Sequence, residues 1–302
     1  MIDGAPCENY LKLAEDAFTG MNGPDVSAWI SRLEAEHDKL HAELMHYIEN
    51  EDAESALRMC AALRSFWWTC GYIDEGLKFC ISALAIAETS QLPALRAEVL
   101  NAAGVLARMS GNCASAREYH EQSLAIRLEI GDKRGMAACF NGLGNLASDQ
   151  GEYGAAWEYH EQSLAIKREI GDRKGVGGSL NNVGYVAYRQ RDYPFAKLCY
   201  EQSLTIRQEY GNPQQIAQSL QGFAEIAAAQ STWERAVRLW GAADSLRVQS
   251  SAPLTANEQA AHDAELAAAR QTLGDQTFSS AWDNGRIMSL NQSIEYALEH
   301  GV

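Results

Sequence analysis

Glu121-Gln122-Ser123-Leu124-Ala125-Ile126-Arg127-Leu128-Glu129-Ile130-Gly131-Asp132 returns forty residues later as Glu161-Gln162-Ser163-Leu164-Ala165-Ile166-Lys167-Arg168-Glu169-Ile170-Gly171-Asp172. A third copy begins Glu201-Gln202-Ser203-Leu204, with Ile206 and Gly211 in step. Asn101, Asn141 and Asn181 keep the same period. A fixed period of roughly 20 to 50 residues marks an array of supersecondary units that stack only on their neighbours. Such an array works through a long surface more often than through a catalytic pocket.

Within one period two helical patterns alternate. Met136, Phe140, Leu143 and Ala147 recur at helix spacing and run into Gly151. Tyr153, Ala156, Tyr159, Leu164, Ile166 and Ile170 do the same and run into Gly171. Apolar residues at that spacing followed by glycine read as amphipathic helices with glycine stops. Gly104, Gly144, Gly184 and Ala224 lie in register in the first helices, and Ala116, Ala156, Ala196 and Ala236 in the second. Glycine inside a helix costs about 1 kcal/mol relative to alanine. Its recurrence therefore predicts a close approach by a neighbouring helix.

These small residues, Gly111 and Gly151 before the second helix, and Tyr153, Tyr193 and Trp233 just after the turn resemble the tetratricopeptide repeat. That repeat usually spans about 34 residues. Here longer helices and an Ile-Gly-Asp-Lys/Arg link (130–133, 170–173) extend it to forty. Arg191 and Ser231 replace the turn glycine, and Cys113 stands where an aromatic is usual. The resemblance covers roughly residues 91–250. It implies an all-α solenoid, a right-handed superhelix of antiparallel helix pairs with helical caps.

Four segments follow: an N-terminal helical part (1–50), a degenerate repeat (51–90), four repeats (91–250) and a C-terminal cap (251–302). A short helix is expected over 7–19, a turn over Gly20–Pro24, and one amphipathic helix from Asp25 to Ile48. A break is expected over Gln249–Pro253. Thr255 with Glu258, and Ser289 with Gln292, read as capping boxes. Taken whole, the chain also resembles the C-terminal repeat region of bacterial signal-transduction ATPases and LuxR-type regulators. Trp29–Leu40, the array, Ala236–Ala243 and Phe278–Ser289 carry that likeness. It implies a sensing or scaffolding role, in a fragment or a stand-alone relative. No GxxxxGK[ST] phosphate loop occurs in the sequence.

The 302 residues carry a formal net charge of −15. That balance argues against a nucleic-acid footprint and against docking on an anionic membrane. The seven cysteines form no CxxC pair, which suits reduced, mostly buried thiols. With no secretory leader pattern and no apolar run of about 18 residues, a cytoplasmic location is expected. No cofactor is implied.

The first helices should line the concave face, with Asn101, Asn141, Asn181 and Gln221 as one ladder. One turn on come Val105, Asn145, Tyr185 and Glu225, then Arg108, Ser148, Tyr188 and Ala228, with Met109, Asp149, Arg189 and Ala229 at the rim. Carboxamides donate and accept, so a row of them can hold an extended peptide backbone. The tyrosines offer flat area with polar tips, and Arg108 or Arg189 could hold a carboxylate. The plainer alternative is that the amides bond to one another and to neighbouring helices, stiffening the superhelix.

The leading expectation is a non-enzymatic module binding a protein or peptide segment in bacterial signalling. The alternative is a small-molecule inducer sensor controlling an ATPase or a DNA-binding partner. Self-association stays open. Leu124, Leu164 and Leu204 with Ile126, Ile166 and Ile206 read as core. His120 and His160, like Tyr200 and Trp240, read as packed rings, and Phe66-Trp67-Trp68 as core bulk. His37 and His41 have zinc-compatible i,i+4 spacing, but neither an HExxH pattern nor a third ligand at suitable spacing accompanies them.

Overall fold

The computed structural model describes residues 9–21, 26–88, 91–250, 254 and 256–299. Sixteen helices and no strands occur among them. The chain divides into two compact units, 1–150 and 151–302. The first contains α1 (Tyr10–Gly20), α2 (Val26–Ala35), α3 (His37–Glu49), α4 (Ala53–Cys70), α5 (Ile73–Ile86), α6 (Pro93–Met109), α7 (Cys113–Ile130) and α8 (Lys133–Asp149). The second contains α9 (Tyr153–Glu169), α10 (Arg173–Arg189), α11 (Tyr193–Tyr210), α12 (Pro213–Ala229), α13 (Trp233–Gln249), α14 (Ala256–Leu273), α15 (Asp275–Arg286) and α16 (Leu290–Leu298).

The forty-residue link has a local cause. Gly131 takes the left-handed conformation (φ 71°) that ends α7, and the Asp132 amide donates back to the Arg127 carbonyl at 2.9 Å. The Asp132 carboxylate then accepts from the Gly135 amide at 2.9 Å and starts α8. One dipeptide thus stops one helix and caps the next. Asp172 and Asn212 repeat the cap on α10 and α12.

Where the turn glycine is replaced, the backbone keeps the same conformation: φ is 66° at Arg191 and 61° at Ser231. A side chain there costs about 1 kcal/mol or more, and glycine gives part of that back through unfolded-state entropy. Arg191→Gly and Ser231→Gly should each stabilise the protein by about 0.5 kcal/mol, read as a higher denaturant midpoint. A lower midpoint would contradict the strain.

Within the repeats, first and second helices pair as α6 with α7, α10 with α11 and α12 with α13. Each first helix also touches the next one in its unit, α6 with α8 and α10 with α12. Gly104 of the registered set, and Gly142 and Gly222 two residues before that register, leave room for a ring. A Cβ on Gly104 would lie 2.7 Å from His120, and one on Gly142 only 2.4 Å. A Cβ on Gly222 would come within 2.3 Å of Tyr200. The ring of the second helix is therefore clamped between two first helices, and His120, Tyr200 and Trp240 are buried.

Some sequence expectations shift. Leu164, Leu204 and Ile206 are buried, but Leu124, Ile126 and Ile166 stay part-exposed. The inward stripe of α7 is Ala116, His120, Ser123 and Arg127, and Leu124 and Ile126 flank it. The helix expected from Asp25 to Ile48 is broken at Glu36 (φ −104°, ψ 9°) into α2 and α3. After the break His37 stacks on Tyr72 at 4.3 Å while Leu40 and Leu44 enter the core. Phe66 and Trp67 are buried but Trp68 is exposed. Six cysteines are free thiols, four of them buried, and Cys7 lies outside the described residues. The Ser289–Gln292 capping box is present. The Thr255–Glu258 box and most of the Gln249–Pro253 and Gly20–Pro24 segments lie outside the described residues.

Beyond the repeats of the second unit, α15 packs closely on α13, and α14 and α16 complete the cap. Arg235 closes it by donating to the Tyr296 carbonyl at 2.8 Å and the Ala297 carbonyl at 3.1 Å. Among the described residues no helix is long and apolar enough to cross a membrane.

Candidate functional site

The polar and aromatic residues of the ladder fall into the two units. On α6 and α8 of the first, Asn101, Asn141 and Asn145 are half-buried. Asn101 Oδ1 accepts from His120 Nδ1 at 3.1 Å. With that proton on Nδ1, the neutral ring has its lone pair on Nε2, which is buried without a partner. Burial lowers the His120 pKa to about 4. Arg108 Nη1 donates to Asp149 Oδ2 at 2.6 Å, an ion pair from α6 to α8.

In the second unit the stripe is larger and more chemically varied. Asn181, Tyr185, Tyr188 and Arg189 share one face of α10, and Gln221 and Glu225 lie at the matching positions of α12. Arg189 donates to the Tyr185 hydroxyl at 2.6 Å and sits 4.9 Å from the Tyr153 ring centre. Gln221 receives from Arg247 at 2.9 Å and donates to Glu225 at 3.2 Å. Burial, then the charge of Glu265 on α14, raises the Glu225 carboxyl to about 7. Burial together with the charges of Glu225 and Glu265 also raises the Tyr188 pKa. These groups form one neighbourhood of two rings, one guanidinium and two carboxyls whose pKa values burial raises.

A second row of residues was not singled out in the sequence. Arg127, Lys167, Arg207 and Arg247 recur every forty residues, one position after the Ile/Leu column. Arg127, Arg207 and Arg247 are buried. Arg127 donates to Glu98 and to Asp132, both at 2.6 Å. Lys167 Nζ donates to Ser179 Oγ at 2.9 Å, and its pKa is lowered by burial against the opposing charge of Asp172. Arg207 Nη1 donates to Asn181 Oδ1 and Ser219 Oγ, each at 2.9 Å. The serine of the quoted motif is structural too: Ser123 and Ser203 hydroxyls donate to the Ala97 and Gly177 carbonyls at 2.6 and 2.7 Å. The period of the basic column was the available signal; its inward direction emerges only from packing.

The amides thus belong partly to this internal network. Asn101, Asn181 and Gln221 each accept from a cation or imidazole of a second helix, while Tyr185, Tyr188 and Arg189 present mixed polar and apolar area. His37 Nε2 pairs with Glu75 Oε1 at 3.0 Å, and His41 Nδ1 lies 3.7 Å from Glu75 Oε2. No group of three His, Cys, Asp or Glu among the described residues is arranged to hold a metal ion.

No curated protein matches the chain in sequence. Solved structures do match in fold. The Rap protein complexed with competence and sporulation factor is 14% identical, with 95% of this chain and 98% of that one covered and a TM-score of 0.59. BtubC (BKLC) from P. vanneervenii is 18% identical over 72% of this chain and 93% of that one, with a TM-score of 0.57. Aspartyl phosphate phosphatase F from Bacillus subtilis is 12% identical over 99% and 94%, with a TM-score of 0.51. At these identities the likeness is one of fold: stacked helix pairs, with no transfer of activity. The sequence family that matches is the tetratricopeptide repeat, over residues 95–169.

Proposed function

We propose that the chain is a non-enzymatic interaction module, and that the α10–α12 stripe grips an extended segment of a protein or peptide. The observation that carries this reading is the grouping of Tyr185, Tyr188 and Arg189 beside Gln221 and Glu225 on adjacent first helices. Rigid aromatic area with polar tips and a nearby guanidinium is the side-chain chemistry that dominates protein-binding hot spots. A neighbour of similar fold is seen in complex with a competence and sporulation factor, which fits a part in bacterial signalling inside the cytoplasm. The Asn101–Arg108–Asn141–Asn145 stripe of the first unit is a polar face of that unit, read as a second contact surface in its own right.

The reading is tested with an array of random nine-residue peptides. Tyr185→Ala with Arg189→Gln should lower retention about tenfold or more while helical content stays that of the wild type. Undiminished retention in a folded double variant would remove the stripe from the binding surface. A metabolite-sensing role, the other reading of the sequence, instead predicts saturable thermal stabilisation by a small molecule and no peptide retention.

A further inference from the structure

The buried arginine of α7 and its counterpart on α11 differ in their counter-charges. Arg127 has Glu98 and Asp132, twenty-nine residues before it and five after. The same offsets from Arg207 give Gly178 and Asn212. Arg207 is as buried as Arg127, each only 4% exposed, and no carboxylate lies within ion-pair distance of it among the described residues. Its acceptors are neutral: Asn181 Oδ1, Ser219 Oγ, the Gln215 carbonyl, and Gln218 Oε1 at a long 3.3 Å. Its Nε is buried with no acceptor. A buried cation is costly unless it is paired.

Space exists where the missing partner would sit. A Cβ built on Gly178 meets nothing within 4 Å. Gly178 is also on the binding stripe, since 178, 181, 185 and 189 follow helix spacing along α10. In the first unit the side chain at this position, Glu98, reaches the arginine from its own helix. In the second unit the position has no side chain, and its approach is open.

We infer that Arg207 and the open space over Gly178 form a carboxylate-binding subsite, which takes an acidic side chain of the segment held on the α10–α12 stripe. The inference rests on the proposed groove and specifies one chemical feature of its ligand. The incoming carboxylate replaces the one that Glu98 supplies to Arg127, and the weak Gln218 contact gives way to a charge-assisted pair. Burial lowers the Arg207 pKa to about 10.

The decisive variant restores the partner within the chain. Gly178→Glu should raise the melting temperature by about 3 °C over Gly178→Gln, which controls for helix propensity. The binding arm uses the nine-residue array with each peptide in two versions, glutamate or glutamine at one position. Wild type should prefer the glutamate versions by about tenfold, the worth of one hydrogen-bonded charge, and Gly178→Glu should lose that preference. Equal retention of both versions overturns the subsite and leaves the groove standing. If neither version is held, the groove reading fails. The subsite then stands only as a free-anion site, shown by acetate raising the wild-type midpoint over chloride at equal ionic strength but not that of Gly178→Glu. Equal midpoints for Gly178→Glu and Gly178→Gln overturn it altogether.

Discussion

Between pH 7.5 and pH 4.5 the protein is expected to lose on the order of 5 kcal/mol of stability, a large part of what a typical domain has. Three buried histidines cause the loss. His120, His160 and His262 are each brought to a pKa of about 4, chiefly by burial. Each also has a ring nitrogen with no hydrogen-bond partner. In the unfolded chain an imidazole titrates near 6.5. Below that value the unfolded state binds protons that the native state refuses, so stability falls as pH falls through about 6.5. The loss continues until the native rings protonate near 4. At about 1.4 kcal/mol per pKa unit, each histidine accounts for about 3 kcal/mol.

Glu225 acts in the opposite sense. Its native pKa of about 7 lies above the unfolded carboxylate value, so it binds a proton in the native state first. It adds about 3 kcal/mol of relative stability as pH falls from 7 towards 4.5, and Glu265, raised by burial, adds to the same side. The histidines outnumber the glutamates and win. Urea midpoints measured at pH 7.5, 6.0 and 4.5 check this, and a midpoint that stays level or rises on acidification would rule it out. His120→Gln should flatten part of the slope whatever its effect at pH 7.5.

Gly285→Ala is expected to destabilise the second unit by about 3 kcal/mol or more. The added Cβ would lie 2.0 Å from the Arg238 carbonyl oxygen and 3.0 Å from the Ala242 nitrogen. Gly241, facing it across the α13–α15 crossing, would put a Cβ 2.4 Å from the Trp282 carbonyl oxygen. Both obstacles are helix backbone, which cannot rotate aside as a side chain can. Relief requires α15 to move off α13 and uncover the apolar end that includes Trp240, Phe278 and Ala281. A repeat array needs such a cap to stay soluble. The checks are a lowered urea midpoint and new binding of a hydrophobic dye; an unchanged midpoint would mean the crossing is looser than its geometry.

The forty-residue period and the glycine-acid links were legible because they are local. Helix stops and caps depend on a few adjacent residues, so Gly131-Asp132 could be read directly and its conformation follows. The ring positions were legible too, since His120, Tyr200 and Trp240 stand where the repeat that the chain resembles usually places a large aromatic, and all three are buried. The break at Glu36 left no proline or glycine to mark it. The inward basic column was missed because periodic arginine and lysine look the same in a sequence whether they face water or the core.

The chain's own order of residues determined the all-α class, the alternation of paired helices and the residues at which each helix ends, because these follow from periodicity and short-range hydrogen bonding. Tertiary structure decided which polar groups pair: Arg127 with Glu98, Asn181 with Arg207, Gln221 with Arg247. The reason is physical. A side chain's charge partner depends on which helix faces lie within a few ångströms, and that is settled by packing between segments far apart in sequence.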